Sequence, residues 1–186
     1  MEEYMMKKIS ACILIAALMV LSMTGCKKDE ALKILDRDHA VQVREDLKVF
    51  SDGDISAITE RVFGQTSEKG SGDGIIADLF ANADVEITSV DESSISYTIV
   101  SPDISDFFAV CADQLDAITT SEELGEAILK YAETAPEKEY TVTLLYVVED
   151  GKIDISYDNA DFINAMTGGL VEAYADLYDQ YLEEMG

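Results

Sequence analysis

The sequence predicts an α+β domain, a four-stranded antiparallel curved sheet packed against N-terminal, inserted and C-terminal helices. Three observations carry that prediction. Apolar residues recur at helical spacing early and late in the chain, two runs near residues 85–99 alternate at period two, and "LLYVVEDGKIDISY" sets Asp150-Gly151 between two strand-like runs.

The first element is not part of that domain. Lys7 and Lys8 precede "ISACILIAALMVLSM", residues 9–23, an apolar block of signal-peptide length and short of the roughly 20 residues that span a bilayer. Thr24 and Gly25 then stand directly before Cys26. This order resembles the lipobox of bacterial lipoproteins, with Met23 where that motif usually has leucine. The resemblance implies a signal peptide over 1–25, a diacylglycerol thioether on Cys26, and a short charged tether over 26–30. Two acyl chains hold a protein stably on a membrane, since each buried CH₂ contributes roughly 0.8 kcal/mol. The expected location is the extracytoplasmic face of the bacterial cell membrane.

The remaining chain, 31–186, is of single-domain size. Removing 1–25 takes two lysines and two glutamates, so the formal charge stays at −25. Such a field repels phosphate backbones, and no nucleic-acid partner is expected. Cys12 leaves with the signal and Cys26 carries lipid, which leaves Cys111 alone in "DFFAVCADQL" as a packed thiol with no intrachain disulfide partner.

Within the domain, Leu32, Leu35, His39, Val43, Leu47 and Phe50 predict a helix over 31–50. "SDGD" ends it, and Asp54 caps a second helix carrying Ile55, Ile58, Val62 and Phe63. "GQTSEKGSGDG" is a loop by composition, followed by a short helix over 75–81. Val85 and Ile87, then Ile95, Tyr97 and Ile99, alternate with polar residues as two strands turning at 91–93. "SPD" ends the second strand, with Asp103 as the cap of an inserted helical pair. Phe107, Phe108, Cys111, Leu115 and Ile118 mark the first of the pair, and Leu124, Ile128, Leu129 and Tyr131 the second. Thr120 and Glu123 form a capping box between them, and Pro136 closes the pair.

"YTVTLLYVV", apolar on both faces at its middle, reads as a central strand, and Asp150-Gly151 turns the chain into "IDISY". Asn159 caps the last helical region. Gly168-Gly169 marks a break or a close backbone approach. Leu170, Tyr174, Leu177 and Tyr181 form an apolar stripe, and Glu172, Asp176, Asp179 and Glu183 an acidic one. Like charges at neighbouring helical positions oppose the helix, so packing of the Leu/Tyr stripe is expected to hold it.

"VFSDGDISAI", "SPDISDF" and "LLYVVEDGKIDISYDNADFINAM" together resemble small lipoproteins of anaerobic Firmicutes whose mature part is a nuclear-transport-factor-2-like or cystatin-like α+β cone. The resemblance implies a curved sheet wrapping a pocket and brings no catalytic residues.

No catalytic, metal or cofactor residues are assigned. His39 is the single histidine, which excludes a two-histidine zinc site, and it reads as a half-buried structural residue. "GSGDG" lacks the Walker lysine. "SDGDIS" and "SYDNAD" carry clustered oxygens, but helix capping by Asp54 and Asn159 accounts for them without calcium. Tyr97, Tyr146 and Tyr157, at sheet positions, are the residues expected to line a cavity for a small organic ligand or a peptide. The function expected first is therefore a membrane-anchored binding or accessory module. An envelope interaction or assembly module using the acidic face is the alternative, and a pocket enzyme with a raised-pKa carboxylate is the third class.

Overall fold

A computed structural model describes residues 31–64, 73–115 and 117–185. The signal segment 1–25, Cys26 with its tether, and positions 65–72 of the glycine-rich loop lie outside the described residues. Among those described, no helix is long and apolar enough to cross a membrane.

The first predicted helix divides in two. A short 3-10 turn, Leu32–Ile34, is followed by Leu35 in extended conformation. Asp36 then caps α1, Arg37–Asp52, its carboxylate accepting from the Asp38 and His39 amides. Two unsatisfied N–H groups are thereby paired, which sets the start of the helix later than the apolar spacing suggested. Gly53, at φ 64°, ends α1, and Asp54 caps α2, Ile55–Phe63, through the Ala57 amide at 3.1 Å. Helix α3, Asp73–Ala81, completes the N-terminal layer.

The sheet is an antiparallel meander in the order β1 (Asp84–Val90), β2 (Ser94–Pro102), β3 (Glu137–Glu149), β4 (Lys152–Ile155). Pairing of Ile87 with Tyr97, Tyr97 with Val142, and Ile95 with Leu144 puts one apolar face toward the helices. A bulge after Ile87 shifts the register of the edge strand β1. Asp150 and Gly151 take positive φ, 51° and 74°, as a tight hairpin turn requires. β3 is internal, as expected, yet its outer face is open, with Leu145 and Val147 exposed. The short edge strand β4 is covered instead of paired further: the Gln42 amide of α1 donates to the Ile153 carbonyl and accepts from the Ile153 amide. His39 reinforces the same contact, lying between the Asp36 carboxylate and the Gly151 carbonyl.

Between β2 and β3 the chain forms two single turns, α4 (Phe107–Val110) and α5 (Ala112–Leu115), and then α6 (Ser121–Ala132). Asp103 does not cap α4. Its carboxylate accepts from the amide and hydroxyl of Ser105, making a local turn before the helix begins. The capping box of Thr120 and Glu123 is formed as the sequence predicts. Two final helices follow, α7 (Ala160–Met166), capped by Asn159, and α8 (Leu170–Met185).

Gly168 accounts for the joint between them. At φ 64°, a Cβ there would lie 1.9 Å from the Pro102 carbonyl oxygen, and the Gly168 carbonyl accepts from the Ile104 amide at 2.8 Å. The position is both a break and a close backbone approach. It turns α8 so that Leu170 and Ala173 pack, while Tyr174, Leu177 and Tyr181 remain exposed. The expected packing of the whole Leu/Tyr stripe is thus limited to the first turn of α8.

The apolar interior has two parts. The larger joins α1, α2, α3, the sheet and α7 around Phe50, Phe80, Tyr97, Tyr157 and Phe162. The smaller joins the inserted helices to the start of α8 around Leu79, Ile104, Phe107, Phe108 and Ile128.

Candidate functional site

Tyr97, Tyr146 and Tyr157 point inward, and the surrounding side chains close around them. Tyr97 at mid-β2 and Tyr157 just beyond β4 are essentially inaccessible. Their hydroxyls stand 3.5 Å apart, the outer limit of a hydrogen bond. Phe50 meets Tyr157 edge-on at 5.0 Å between ring centroids, and Phe162 lies 5.3 Å from Tyr157 and 6.0 Å from Tyr97. Tyr146, also buried, donates its hydroxyl to the Asp91 carbonyl at 2.8 Å and so fixes the β1–β2 turn.

Beside the tyrosines lies a carboxylate that sequence reading passed over. Asp46 of α1 is 2% exposed, on the same helical face as Val43 and Phe50. Arg61 of α2 brings Nη2 to 2.8 Å from its Oδ1, as an ion pair without the alignment of a hydrogen bond. Burial pushes the Asp46 carboxyl up from 3.8 to about 6; Arg61 and a hydrogen bond with Tyr157 oppose the shift, and Glu45 adds to it. Burial likewise raises the Tyr97 and Tyr157 hydroxyls, so both stay protonated at neutral pH. The position was visible as an acid on the 43–46–50 stripe, where an apolar residue belongs. This cluster is a desolvated polar knot within the main core.

An open groove forms at the inserted helices. The hydroxyl and amide of Thr119 and the amide of Thr120 all donate to the Glu123 carboxylate, which starts α6 at a fixed place. Gly125 lets α6 lie close on α3, since a Cβ there would meet Ile75 Cδ1 at 2.3 Å. Between α6 and the preceding turns runs a groove of about 460 Å³, lined on one bank by Phe107, Cys111, Leu115 and Ile118 and on the other by Glu123, Glu126, Ala127, Lys130, Tyr131 and Thr134. That volume is in the range of small-molecule sites. Phe107 and Tyr131 meet edge-on at 5.6 Å and shape its wall. Cys111, expected to be packed, is a half-buried free thiol at its edge. The backbone hydrogen bond from Thr119, with the others, holds the Glu123 carboxyl below its usual range, so this rim group is anionic at neutral pH. The groove therefore offers aromatic and aliphatic walls beside the carboxylates of Glu123 and Glu126 and the ammonium of Lys130.

Other surface depressions are less suited to a ligand. One of about 490 Å³ runs from Ala31 and Ile34 along Glu86 to Val90, at the limit of the described chain. A polar one of about 340 Å³ includes Arg61, Gly64, Asp154 and Asp158. Among the described residues, no group of three or more His, Cys, Asp or Glu is placed to hold a metal ion. In "SDGDIS" the Asp54 carboxylate accepts from the Ala57 amide, and in "SYDNAD" the Asn159 side chain accepts from the Asp161 and Phe162 amides.

Compared with known proteins, the chain matches no family model, no curated protein and no solved structure.

Proposed function

We propose that the protein is a lipid-anchored extracytoplasmic binding module. A diacylglycerol on Cys26 holds it at the outer face of the cell membrane, and the α6 groove takes the apolar part of a small cationic ligand or of a basic peptide. The observation that carries the reading is the pairing of Phe107, Leu115, Ile118 and Tyr131 with the anionic Glu123 in one groove of about 460 Å³. Apolar walls supply the free energy of burial and a few polar groups set orientation, as in small-molecule sites generally. The chain's charge of −25 raises the local concentration of cations around it. We also read the domain as a relative of the nuclear-transport-factor-2-like or cystatin-like lipoproteins, supported by its helices-first order and curved antiparallel sheet.

The groove is tested by alkylation of Cys111 with iodoacetamide in the chain from Lys27 onward, with octylamine or octanoate added. Octylamine is expected to slow alkylation and octanoate to leave it unchanged, and Ala127→Phe, which fills the groove, is expected to remove the protection. Equal protection by both compounds, or by neither, contradicts the reading. The anchor is tested separately by lipid labelling: Cys26→Ser is expected to lose the label, and a labelled variant would refute lipidation at Cys26.

A further inference from the structure

The C-terminal helix is attached to the body by its first turn. Leu170 and Ala173 are buried, and Tyr174 meets Phe108 edge-on at 4.6 Å. From Tyr174 to Glu183 every residue is exposed. Tyr178 and Tyr181 are 62% and 56% exposed, and Leu177 and Leu182 are also open to solvent. At 3.6 residues per turn, Tyr174, Leu177, Tyr178, Tyr181 and Leu182 share one stripe of about 140°. Glu172, Asp176, Asp179 and Glu183 lie on the opposite side.

This helix lacks what would support it alone. Glu172 with Asp176, and Asp179 with Glu183, are like charges four residues apart, and the acidic residues near its end oppose the macrodipole. Aromatic and aliphatic side chains grouped in one exposed stripe are typical of a surface that another molecule covers.

Charge selects among the occupants. No lysine or arginine follows Lys152, and the whole chain carries −25. A second copy would bring the same excess of negative charge against this face. An anionic bilayer repels it as well, and helices that lie on bilayers carry lysine and arginine on their polar side, the reverse of α8. We propose that α8 is a docking surface for a cationic partner protein, which covers Tyr174, Leu177, Tyr178, Tyr181 and Leu182 with an apolar helix face flanked by lysine or arginine. The inference rests on α8 alone and is independent of the α6 groove.

The probe is a fluorescently labelled 18-residue amphipathic helix of leucine and lysine, titrated by anisotropy against the full chain in phosphatidylcholine nanodiscs, with empty discs as the baseline. Binding is expected, weakened about tenfold or more by Tyr178→Ser with Tyr181→Ser and about tenfold by raising salt from roughly 0.05 to 0.5 M. A peptide of the same composition in scrambled, non-amphipathic order is expected to bind about tenfold more weakly, and one with glutamate in place of lysine not at all. Ala127→Phe is expected to leave the affinity unchanged. Both tyrosines are exposed, so the double variant folds as the parent does. The proposal is overturned by absence of binding up to about 1 mM peptide, by equal binding to the double variant, or by equal binding of the glutamate peptide. It is also overturned if sedimentation shows a dimer that the double variant abolishes, if anionic vesicles capture α8 directly, or if Ala127→Phe removes binding.

Discussion

The main core and the inserted-helix layer handle polar groups in opposite ways. In the main core, Asp46, Tyr97 and Tyr157 are sealed among Phe50 and Phe162, and the one charge among them is opposed by Arg61. In the inserted layer, Glu123 and Cys111 stand at the edge of an apolar groove that solvent reaches. A perturbed carboxyl alone would direct attention to the core, since such groups cluster at functional sites. Access directs it to the other layer. The upward shift at Asp46 marks desolvation, and a binding site also needs a path for the ligand.

The joint between the two layers gives the largest expected effect. Gly168→Ala places a Cβ 1.9 Å from a backbone oxygen at positive φ, so a loss of about 3 kcal/mol or more is expected by urea denaturation. An alanine variant within about 0.5 kcal/mol of the parent would show that the close approach relaxes freely.

Asp46 gives the next effect, with a defined pH dependence. Its carboxyl is raised from 3.8 to about 6 in the folded state. The folded state thus binds that proton more tightly than the unfolded chain. The stability this provides is complete below about pH 4 and is lost as pH rises through 6, amounting to about 3 kcal/mol. Asp46→Asn is expected to be about 2 kcal/mol more stable than the parent near pH 7.5, because it removes the buried charge and leaves the exposed side of Arg61 to water. The advantage should shrink toward zero at pH 4. A variant less stable at pH 7.5 would mean that the ion pair with Arg61 outweighs desolvation.

Much of this contrast is legible in the residues. Period-two alternation placed Tyr97 and Ile99 on a strand, and Asp150-Gly151 fixed the hairpin. Thr120 with Glu123, Asp54 and Asn159 are legible as caps, because a cap depends on a few neighbouring residues. What remained hidden depends on distant segments. Alternation tells which face a tyrosine takes, but whether a space remains before it depends on Phe50 and Phe162, more than forty and sixty positions away from Tyr97 in opposite directions. The start of α1 shifted because the Asp36 carboxylate competed with the apolar spacing of Leu32 and Leu35. The groove arises between α6 and turns α4 and α5, while Gly125 against Ile75 seats α6 on α3, so its position depends on segments far apart in sequence. The exposure of α8 follows from the direction Gly168 imposes, so a stripe that reads as core in sequence is left outside.

A smaller effect checks the groove's architecture. Thr120→Ala removes a cap bond to the Glu123 amide, with about 1 kcal/mol lost in thermal or urea unfolding. If capping were incidental there, the loss would be near zero. The smallest effect is expected on α8, where Tyr181→Ser should change stability by less than about 0.5 kcal/mol. A larger loss would place that side chain in the folded core.

Amide hydrogen exchange with and without octylamine most directly tests the assignment of binding to the inserted layer. Slowed exchange is expected within 107–134, with no change across β2 near Tyr97 or in the segment containing Tyr157. Slowing confined to α1, β2 and the Tyr157 segment, with 107–134 unaffected, would contradict it and place the ligand at the buried tyrosines.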